Sequence, residues 1–395
     1  MLKVAFRNIK RNKRRTILSL IIIVISIAVL YLVSGYVQDT YQGLKYMEIN
    51  KNGHLQIAAD GFWNNDERLL TVDEINKIEN ILKDEDNIKS YSSTLEVSGL
   101  LGTEEDSTPI IGVGIEPEKN NSVMINSGTK LFAGDKNRIL VGEGIKDKLG
   151  LTVDEWVSIM ALTPAGAYNA LSFKVSGSFS SGFEEMDQRF IYLPLNSAQN
   201  LLDTKGVDKY KITLKENAKL KETINLLENK FASKGLDLGI KSWRDLADYY
   251  YQIKGMYNMV FIFMAFIITI LVFFSIFEIM SMSFFERMNE LGTIRAIGTT
   301  KSQLFGQLLI EAIILGIIGG IIGIISGFGS ANLINSLNIT YTPPNISEAV
   351  PLSIKNSLSN AILPFLLVLT VTGFSALLPA FKAARLNIVE TLRHV

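Results

Sequence analysis

The segment Gly298-Thr299-Thr300-Lys301-Ser302 has the residue types of a phosphate-binding loop, so ATP hydrolysis is the first chemistry to test. A P-loop needs Gly immediately before its Lys and a second Gly five residues earlier, because its backbone N–H groups cradle the phosphates. Those two positions hold Thr300 and Arg295 here. The sequence therefore predicts no nucleotide site and no enzyme activity in this chain.

A cluster of hydroxyls and acids in the middle of the chain has residue types found in hydrolases. Its members are Ser178, Ser180, Ser181, Glu184 and Glu185. A serine nucleophile needs a general base in reach, which is most often histidine, and none lies nearby in the sequence. A polar loop is the simpler interpretation.

Metal and dinucleotide chemistry are disfavoured by composition. The chain has no cysteine and only two histidines, His54 and His394, which lie near opposite ends. Neither a disulfide framework nor a cysteine metal site can form. The segment Gly112-Val113-Gly114 lacks the third glycine of a dinucleotide fingerprint, and we interpret it as a strand-to-turn feature.

Two carboxylates, Glu278 and Glu311, lie within long apolar segments. Ionisable groups inside a membrane are costly and mark functional sites by default. Close to a helix end they reach headgroup water, and the helix dipole would favour Glu311 if it lay near a helix N-terminus. A structural role and a role in ion coupling are both open at this point.

Five glycines recur at a spacing of four, in three overlapping pairs. They are Gly316, Gly319, Gly320, Gly323 and Gly327. This small-xxx-small pattern lets membrane helices approach closely. It indicates either a seam between two copies of the chain or packing against another span of the same chain.

These residues lie among four apolar runs that are long enough to cross a bilayer. The first run, residues 16–37, is uncharged throughout, and at 1.5 Å per residue it covers a hydrocarbon core of about 30 Å. A cleaved signal peptide is the alternative, but the run is long for one and more spans follow. We expect spans at 16–37, 255–280, 308–330 and 356–381, the last interrupted by Pro364 and Pro379, which membrane helices tolerate.

The zero net charge conceals a segregation that orients the chain. Residues 38–252 carry 24 Lys+Arg and 33 Asp+Glu, whereas seven cations and no acids lie in the first fifteen residues. Such a cluster could bind nucleic acid, but beside an apolar run the positive-inside rule explains it more simply. We expect the segments 1–15, 284–303 and 382–395 to be cytoplasmic, and 38–252 and 331–355 to be outside the cytoplasm.

The large outer segment reads as a mixed α/β domain. Two β-α-β units are predicted, the first with strands at 54–58 and 88–97 around a helix at 72–82, the second with strands at 210–214 and 236–240 around a helix at 218–231. Thr71 and Glu74 form a candidate capping box. We predict a ferredoxin-like split fold with a β-rich insertion at about 100–200. The tyrosines 249–251, just before the second span, are typical of an interfacial aromatic belt.

The segment FFERMNELGTIRAIGTTKSQLFGQLLIEAIILGIIGGIIG (284–323) resembles the permease module shared by the MacB, LolC/LolE and FtsX class of ABC transporters. That family has the pattern E-R-x-x-E-(I/L)-G-x-x-(R/K)-A-(I/L)-G in a short cytoplasmic coupling helix. The matching positions here are Glu286, Arg287, Glu290, Leu291, Gly292, Arg295, Ala296 and Gly298. The resemblance implies that they dock into a separate ATPase subunit.

The resemblance covers nearly the whole chain. Both ends, 5–16 and 379–393, are similar to the family, apart from Asn387 where the family usually has Pro. Residues 139–160 and 173–202 are similar to parts of the periplasmic domain of MacB and LolC/LolE. The resemblance implies a ferredoxin-like porter-type subdomain with an inserted β-rich one, outside four transmembrane helices in the cytoplasmic membrane.

The function implied is that of a membrane subunit driven mechanically by a partner ATPase dimer, which would bind the ATP and Mg, so no cofactor is expected in this chain. The cargo would be lipoprotein, peptide or another amphipathic molecule. Further partners implied are membrane lipids, a second permease copy or a paralogue, and an extracytoplasmic adaptor or lipoprotein carrier; nucleic acid is not expected. The alternative is a non-transporting regulator of a cell-wall hydrolase or of a signalling partner.

Helical spacing gives a physical basis for docking by this segment. A helix from 284 to about 297 would place Phe284, Met288, Leu291 and Ile294 on one stripe. We expect that apolar ridge to enter a groove with a charged rim. A juxtamembrane helix lying on the headgroups is the alternative, but it would not by itself require the mixed charges or the glycines.

Overall fold

The computed structural model describes residues 7, 11, 13–64, 68–119, 124–342 and 349–385. These form two compact units, one of residues 1–43, 251–339 and 351–395 and the other of residues 44–250 and 340–350. Much of the predicted cytoplasmic ends, with Asn387 and His394, and part of the 331–355 loop lie outside the described residues.

Ten helices are formed by the described residues. They are α1 Lys13–Asn52, α2 Val72–Lys83, α3 Glu143–Leu149, α4 Glu184–Asp187, α5 Leu195–Leu201, α6 Leu220–Ser233, α7 Asp248–Glu286, α8 Met288–Ala296, α9 Lys301–Ser336 and α10 Ser359–Ala384. Two short 3₁₀ turns, Phe62–Asn64 and Asn217–Lys219, are also present. Four of the helices, α1, α7, α9 and α10, are long and apolar enough to cross a membrane.

Twelve strands accompany them. They are β1 Leu55–Ala59, β2 Ile88–Gly102, β3 Ser107–Ile115, β4 Met124–Gly128, β5 Arg138–Gly142, β6 Trp156–Leu162, β7 Tyr168–Ser180, β8 Phe190–Pro194, β9 Lys209–Leu214, β10 Leu238–Ser242, β11 Thr340–Tyr341 and β12 Val350–Pro351. The last two form a separate two-stranded ladder.

The helical unit packs around a main apolar core to which α1, α7, α8, α9 and α10 all contribute. Ile23 and Ile27 of α1 and Val272 of α7 are fully buried in it. Pro364 and Pro379 lie inside α10, and both are buried. This placement agrees with the tolerance of membrane helices for proline, since neighbouring groups can satisfy the carbonyl that proline leaves without a donor.

The ferredoxin-like subdomain is confirmed by the strand order β10-β1-β9-β2, in which each neighbouring pair is antiparallel. This is the order produced when two β-α-β units interleave. Helices α2 and α6 supply Ile78, Leu227 and Phe231 to its core. The predicted capping box is confirmed too, because the Thr71 hydroxyl accepts from the Glu74 N–H and the Glu74 side chain accepts from the Thr71 N–H.

The inserted subdomain begins within β2. This strand continues to Gly102, whereas it was predicted to end at Val97. Residues up to Thr94 pair with β9, and those from Leu95 onward pair with β3. Strand β6 pairs with both β2 and β7, which closes the ring β2-β3-β8-β5-β7-β6. A second core, with Val97, Ile159 and Phe173 among its members, fills this ring.

Two smaller sequence interpretations were wrong. Gly112-Val113-Gly114 lies inside β3 and not at a turn; a Cβ at Gly114 would meet the Ala198 side chain of α5, so the glycine permits close packing there. Tyr250 does not belong to an exposed belt. It is buried in the ferredoxin-like core, with its ring edge-on to Trp243 at 5.8 Å, while Tyr249 and Tyr251 are exposed.

Candidate functional site

The segment that joins α7 to α9, residues 284–303, is not the single helix predicted from its spacing. Helix α7 ends at Glu286 and α8 begins at Met288, with Arg287 between them in a non-helical conformation (φ −99°, ψ 9°). We call residues 284–303 the junction segment. Successive residues of a helix are rotated by about 100° about the helix axis, and the break at Arg287 interrupts this progression. The apolar residues before and after the break therefore do not form the continuous stripe that was predicted.

Gly298 ends α8 in a Schellman motif. The Gly298 N–H donates to the Arg295 carbonyl (3.1 Å) and the Thr299 N–H donates to the Ile294 carbonyl (3.3 Å). This pattern needs a left-handed residue just after the helix, and Gly298 has φ +110°. Two residues later Thr300 caps α9 in a reciprocal pair with Gln303. Both ends of the α8–α9 turn are thus specified by local hydrogen bonds.

The predicted docking ridge faces inward, which corrects the sequence interpretation. Phe284 and Leu291 are buried in the core of the helical unit, and Met288 and Ile294 are half-buried. Gly292 is buried as well, whereas Ala296 is exposed. The large apolar side chains that the junction segment presents outward are Phe285, at the end of α7, and Ile297, which is 82% exposed.

Ile297 was missed because the predicted helix extended to about residue 297, so the end of the helix was not located at this residue. Its position is the C-cap of α8, where the chain leaves the helix toward Gly298. The signal that could have found it is the glycine itself: Gly at C′ predicts that the preceding residue ends the helix. A large apolar residue at that point projects from the turn.

Arg287 and Glu311 form a buried ion pair between the α7–α8 break and α9. The Arg287 Nη1 donates to Glu311 Oε2 at 3.3 Å, and both side chains are only 8% exposed. Arg287 Nε also lies 3.7 Å from a carboxylate oxygen of Glu290. Glu311 lies ten residues after the first residue of α9, Lys301, too far to be stabilised by the helix dipole, which acts within the first turn. The predicted stabilisation of Glu311 by the dipole was therefore wrong.

The basic N-terminal segment supplies counter-ions to the same region. Arg15 pairs with Glu286, and Arg11 pairs with Glu290. Arg295 donates to the backbone carbonyl of Ala384 at the end of α10 (3.5 Å). The charges at the junction segment therefore engage three other parts of the helical unit.

The remaining predicted membrane site residues differ in environment. Glu278 is exposed on α7, eight residues before its last residue Glu286. The glycine face of α9 is occupied within the chain: a Cβ at Gly319 or Gly323 would lie within 3.0 Å of Ile23 or Ile27 of α1. The other close neighbours are Leu369 at Gly316, Phe365 at Gly320 and Tyr31 at Gly327. The glycine face of α9 therefore packs against α1 and α10 of the same chain.

Comparison with known proteins agrees with this architecture. The family described as FtsX-like permease C-terminal matches residues 262–388. The family described as MacB-like periplasmic core domain matches residues 16–230, more than half of the chain. The chain belongs to the ABC transporter permeases of this MacB-like and FtsX-like class.

Individual relatives of the permease are distant. An ABC transporter permease of Methanocaldococcus jannaschii is 25% identical over 98% of this chain and 96% of that protein. The lipoprotein-releasing system transmembrane protein LolC of Xylella fastidiosa is 21% identical over 72% of this chain and 73% of that protein. The permease YknZ of Bacillus subtilis is 32% identical over 30% of this chain, a match that spans only 26% of YknZ.

Among solved structures, the periplasmic region of MacB from Actinobacillus actinomycetemcomitans is similar, with 17% identity, a TM-score of 0.37 and coverage of 49% of this chain and 89% of that one. The extracellular domain of YknZ has 16% identity and a TM-score of 0.35, over 48% of this chain and 99% of that one. Membership of the permease class implies a transmembrane, non-enzymatic component with an extracellular domain and an ATPase partner.

The permease's serine cluster has a structural explanation. Asp187 is buried and accepts from the Ser180 hydroxyl (3.2 Å) and the Ser181 N–H (2.7 Å), which holds the turn between β7 and α4. Among the described residues, no group of three His, Asp or Glu side chains is arranged to hold a metal ion.

Burial lowers the pKa of Lys211 to about 8, and its ammonium donates to the Asn50 carbonyl.

The inserted subdomain presents apolar side chains outward as well as inward. On β6 the residues alternate, so Met160 and Leu162 are exposed while Ile159 and Ala161 are buried. Met160 pairs across the ladder with the exposed Leu100 of β2, and Leu162 pairs with the exposed Tyr168 of β7. Cross-strand neighbours lie about 5 Å apart, so these four side chains form one exposed apolar patch.

Proposed function

We propose that this permease converts closure of a partner ATPase dimer into movement of its extracytoplasmic domain, and that the junction segment is the cytoplasmic element that receives the force. The observation that carries this proposal is the exposed Ile297 at the end of a short helix between two spans. An exposed isoleucine beside a turn that local hydrogen bonds specify is suited to fill an apolar pocket of a partner. Glu290, also exposed, supplies a charged rim.

Helix length supports a mechanical role. Helices α1 and α7 contain 40 and 39 residues, about twice the roughly 20 residues needed to cross a bilayer. Each therefore continues well beyond its predicted span. A continuous helix has no flexible linker at which a displacement would be lost, so it is suited to transmit force.

The orientation has a direct test. Because the chain has no cysteine, a single introduced cysteine is labelled without background. We expect Ser107→Cys, at the exposed start of β3, to react with a membrane-impermeant thiol reagent in intact cells. Thr300→Cys is expected to react only after the membrane is opened, and its labelling in intact cells would contradict the proposed topology.

Transmission through the junction segment is tested by Gly298→Val. At φ +110° an L side chain is strained, by roughly 1–2 kcal/mol, so the Schellman turn opens and Ile297 is no longer held in place. We expect ATP turnover by the co-purified ATPase in nanodiscs to fall about 5- to 30-fold. The matched control is Gly306→Val on α9, where a Cβ meets no atom within 4 Å. Equal turnover in both variants would argue against a docking role for this turn.

For the cargo we propose amphipathic molecules such as lipoproteins or apolar peptides. The apolar patch of Leu100, Met160, Leu162 and Tyr168 supports contact with an apolar surface, whereas a regulator of a cell-wall hydrolase would be expected to offer a polar docking face. The LolC relative is named for lipoprotein release. Because an ATPase dimer offers two docking grooves, we propose that two permease copies, or one copy and a paralogue, assemble with it.

A further inference from the structure

The α8 helix is flanked by non-helical residues at both ends. Arg287 separates it from α7, and residues 297–300 separate it from α9. Breaks of this kind are where a chain can pivot, because the continuous hydrogen-bond ladder of a helix is interrupted. Leu291, which is buried in the core, and Arg295, which donates to Ala384 of α10, hold the middle and the far end of α8, so the end at Arg287 needs a contact of its own.

The Arg287–Glu311 pair supplies a contact of that kind. Arg287 is itself the break between α7 and α8, and its side chain reaches Glu311 on α9 at 3.3 Å. The pair thus links the residue at which α8 would pivot with the helix on the far side of the turn. Because both side chains are buried, pulling these two opposite charges apart in a poorly solvated place would be strongly unfavourable.

Helix α9 continues the path beyond this contact. From Glu311 onward its glycine face packs directly against α1, where Gly319 meets Ile23 and Gly323 meets Ile27. Close packing of this kind leaves no free volume between the two helices. Protein interiors at native density have low compressibility, so they transmit a displacement and do not absorb it. A displacement that reaches Glu311 is therefore passed to α1.

We infer that Arg287 and Glu311 are positioning residues that hold α8 at a fixed angle to α9, so that force on Ile297 moves α9 instead of swinging α8. This inference rests on the proposed function. It adds that the two residues act by coupling, separately from docking. Neither side chain is exposed enough to contact a partner directly.

The test is a charge swap in the full permease–ATPase complex. In Arg287→Glu and in Glu311→Arg, two like charges face each other; in the double variant the pair is restored with reversed sign. For each single variant we expect retention of the ATPase, an unchanged KM for ATP and a kcat about ten-fold lower. The double variant should recover in part, as for residues of one ion-pair network, because the introduced carboxylate regains an opposite charge on α9 but lies beside Glu290. Spin labels at Ala296→Cys on α8 and Ser302→Cys on α9 should show a broadened distance distribution in the single variants that narrows again in the double variant.

The outcomes separate this inference from the proposed function. Full kcat in the single variants, or a double variant no better than either, would overturn the positioning role. Loss of the ATPase from the single variants would place the pair in the docking surface, which overturns this inference but leaves the proposed function standing. If the single variants fail to insert, Arg287→Lys decides, because a single ammonium cannot reproduce the contacts of the guanidinium with Glu290 and Glu311. A lowered kcat with broadened distances is expected there, and a full kcat contradicts the inference.

Discussion

Replacing Ile297 by Asp is expected to weaken binding of the ATPase partner about 10- to 150-fold. The estimate comes from the 1.5–3 kcal/mol typical of burying an isoleucine side chain, at 1.4 kcal/mol per factor of ten. Ile297 is 82% exposed in the permease alone, so the substitution removes little from the permease's own core. The measurement is the dissociation constant of the ATPase for permease in nanodiscs, together with ATP turnover.

The matched control is Leu358→Asp. Leu358 is 83% exposed and is the N-cap residue of α10. It lies at the opposite end of that helix from Ala384, whose carbonyl accepts a hydrogen bond from Arg295. An acid there is tolerated by the helix dipole, and ATPase binding should be unchanged. Ile297→Leu should also bind normally, because it keeps the apolar volume. If Ile297→Asp binds as tightly as these two, the junction segment does not dock through Ile297.

Replacing Gly323 by Leu should destabilise the helical unit by about 3 kcal/mol, the upper part of the range for overpacking a well-filled core. A Cβ at this position would lie 2.9 Å from the Ile27 Cβ and 3.2 Å from the Val24 carbonyl oxygen. The second of these is backbone and cannot rotate away. Helices α1 and α9 would have to separate, and the contact that passes movement between them would be lost.

Thermal unfolding of detergent-purified permease, followed by loss of the monodisperse peak on size exclusion, measures this effect. Gly329→Leu on the same helix is the control, since a Cβ there meets no atom within 4 Å. Both variants add the same side chain to the same helix, so membrane insertion is affected equally. An equal melting temperature for the two would show that the glycine face does not pack against α1.

Several features follow from the sequence because their causes are local. The length of an apolar run decides whether a helix crosses a membrane, so four spanning helices were predictable. The capping box at Thr71 and Glu74 involves residues three apart, and the glycine that ends α8 acts on its own turn. The ferredoxin-like subdomain was predictable because β-α-β units admit few arrangements. Strand β2, by contrast, was predicted too short, since the pairing that extends it to Gly102 comes from β3 and β6.

What only the tertiary structure decided is which partner each face and charge would meet. The sequence determined that Phe284, Leu291 and Ile297 are apolar, but packing of α7 and α8 buries the first two in the core, and the turn at Gly298 leaves the third outside. The sequence shows that Glu311 is an acid within an apolar segment, but it does not show the counter-ion, Arg287, which lies 24 residues away on the other side of a turn. Periodicity identifies a face of a helix without identifying what covers it, because the covering residues are brought there by packing between elements distant in sequence.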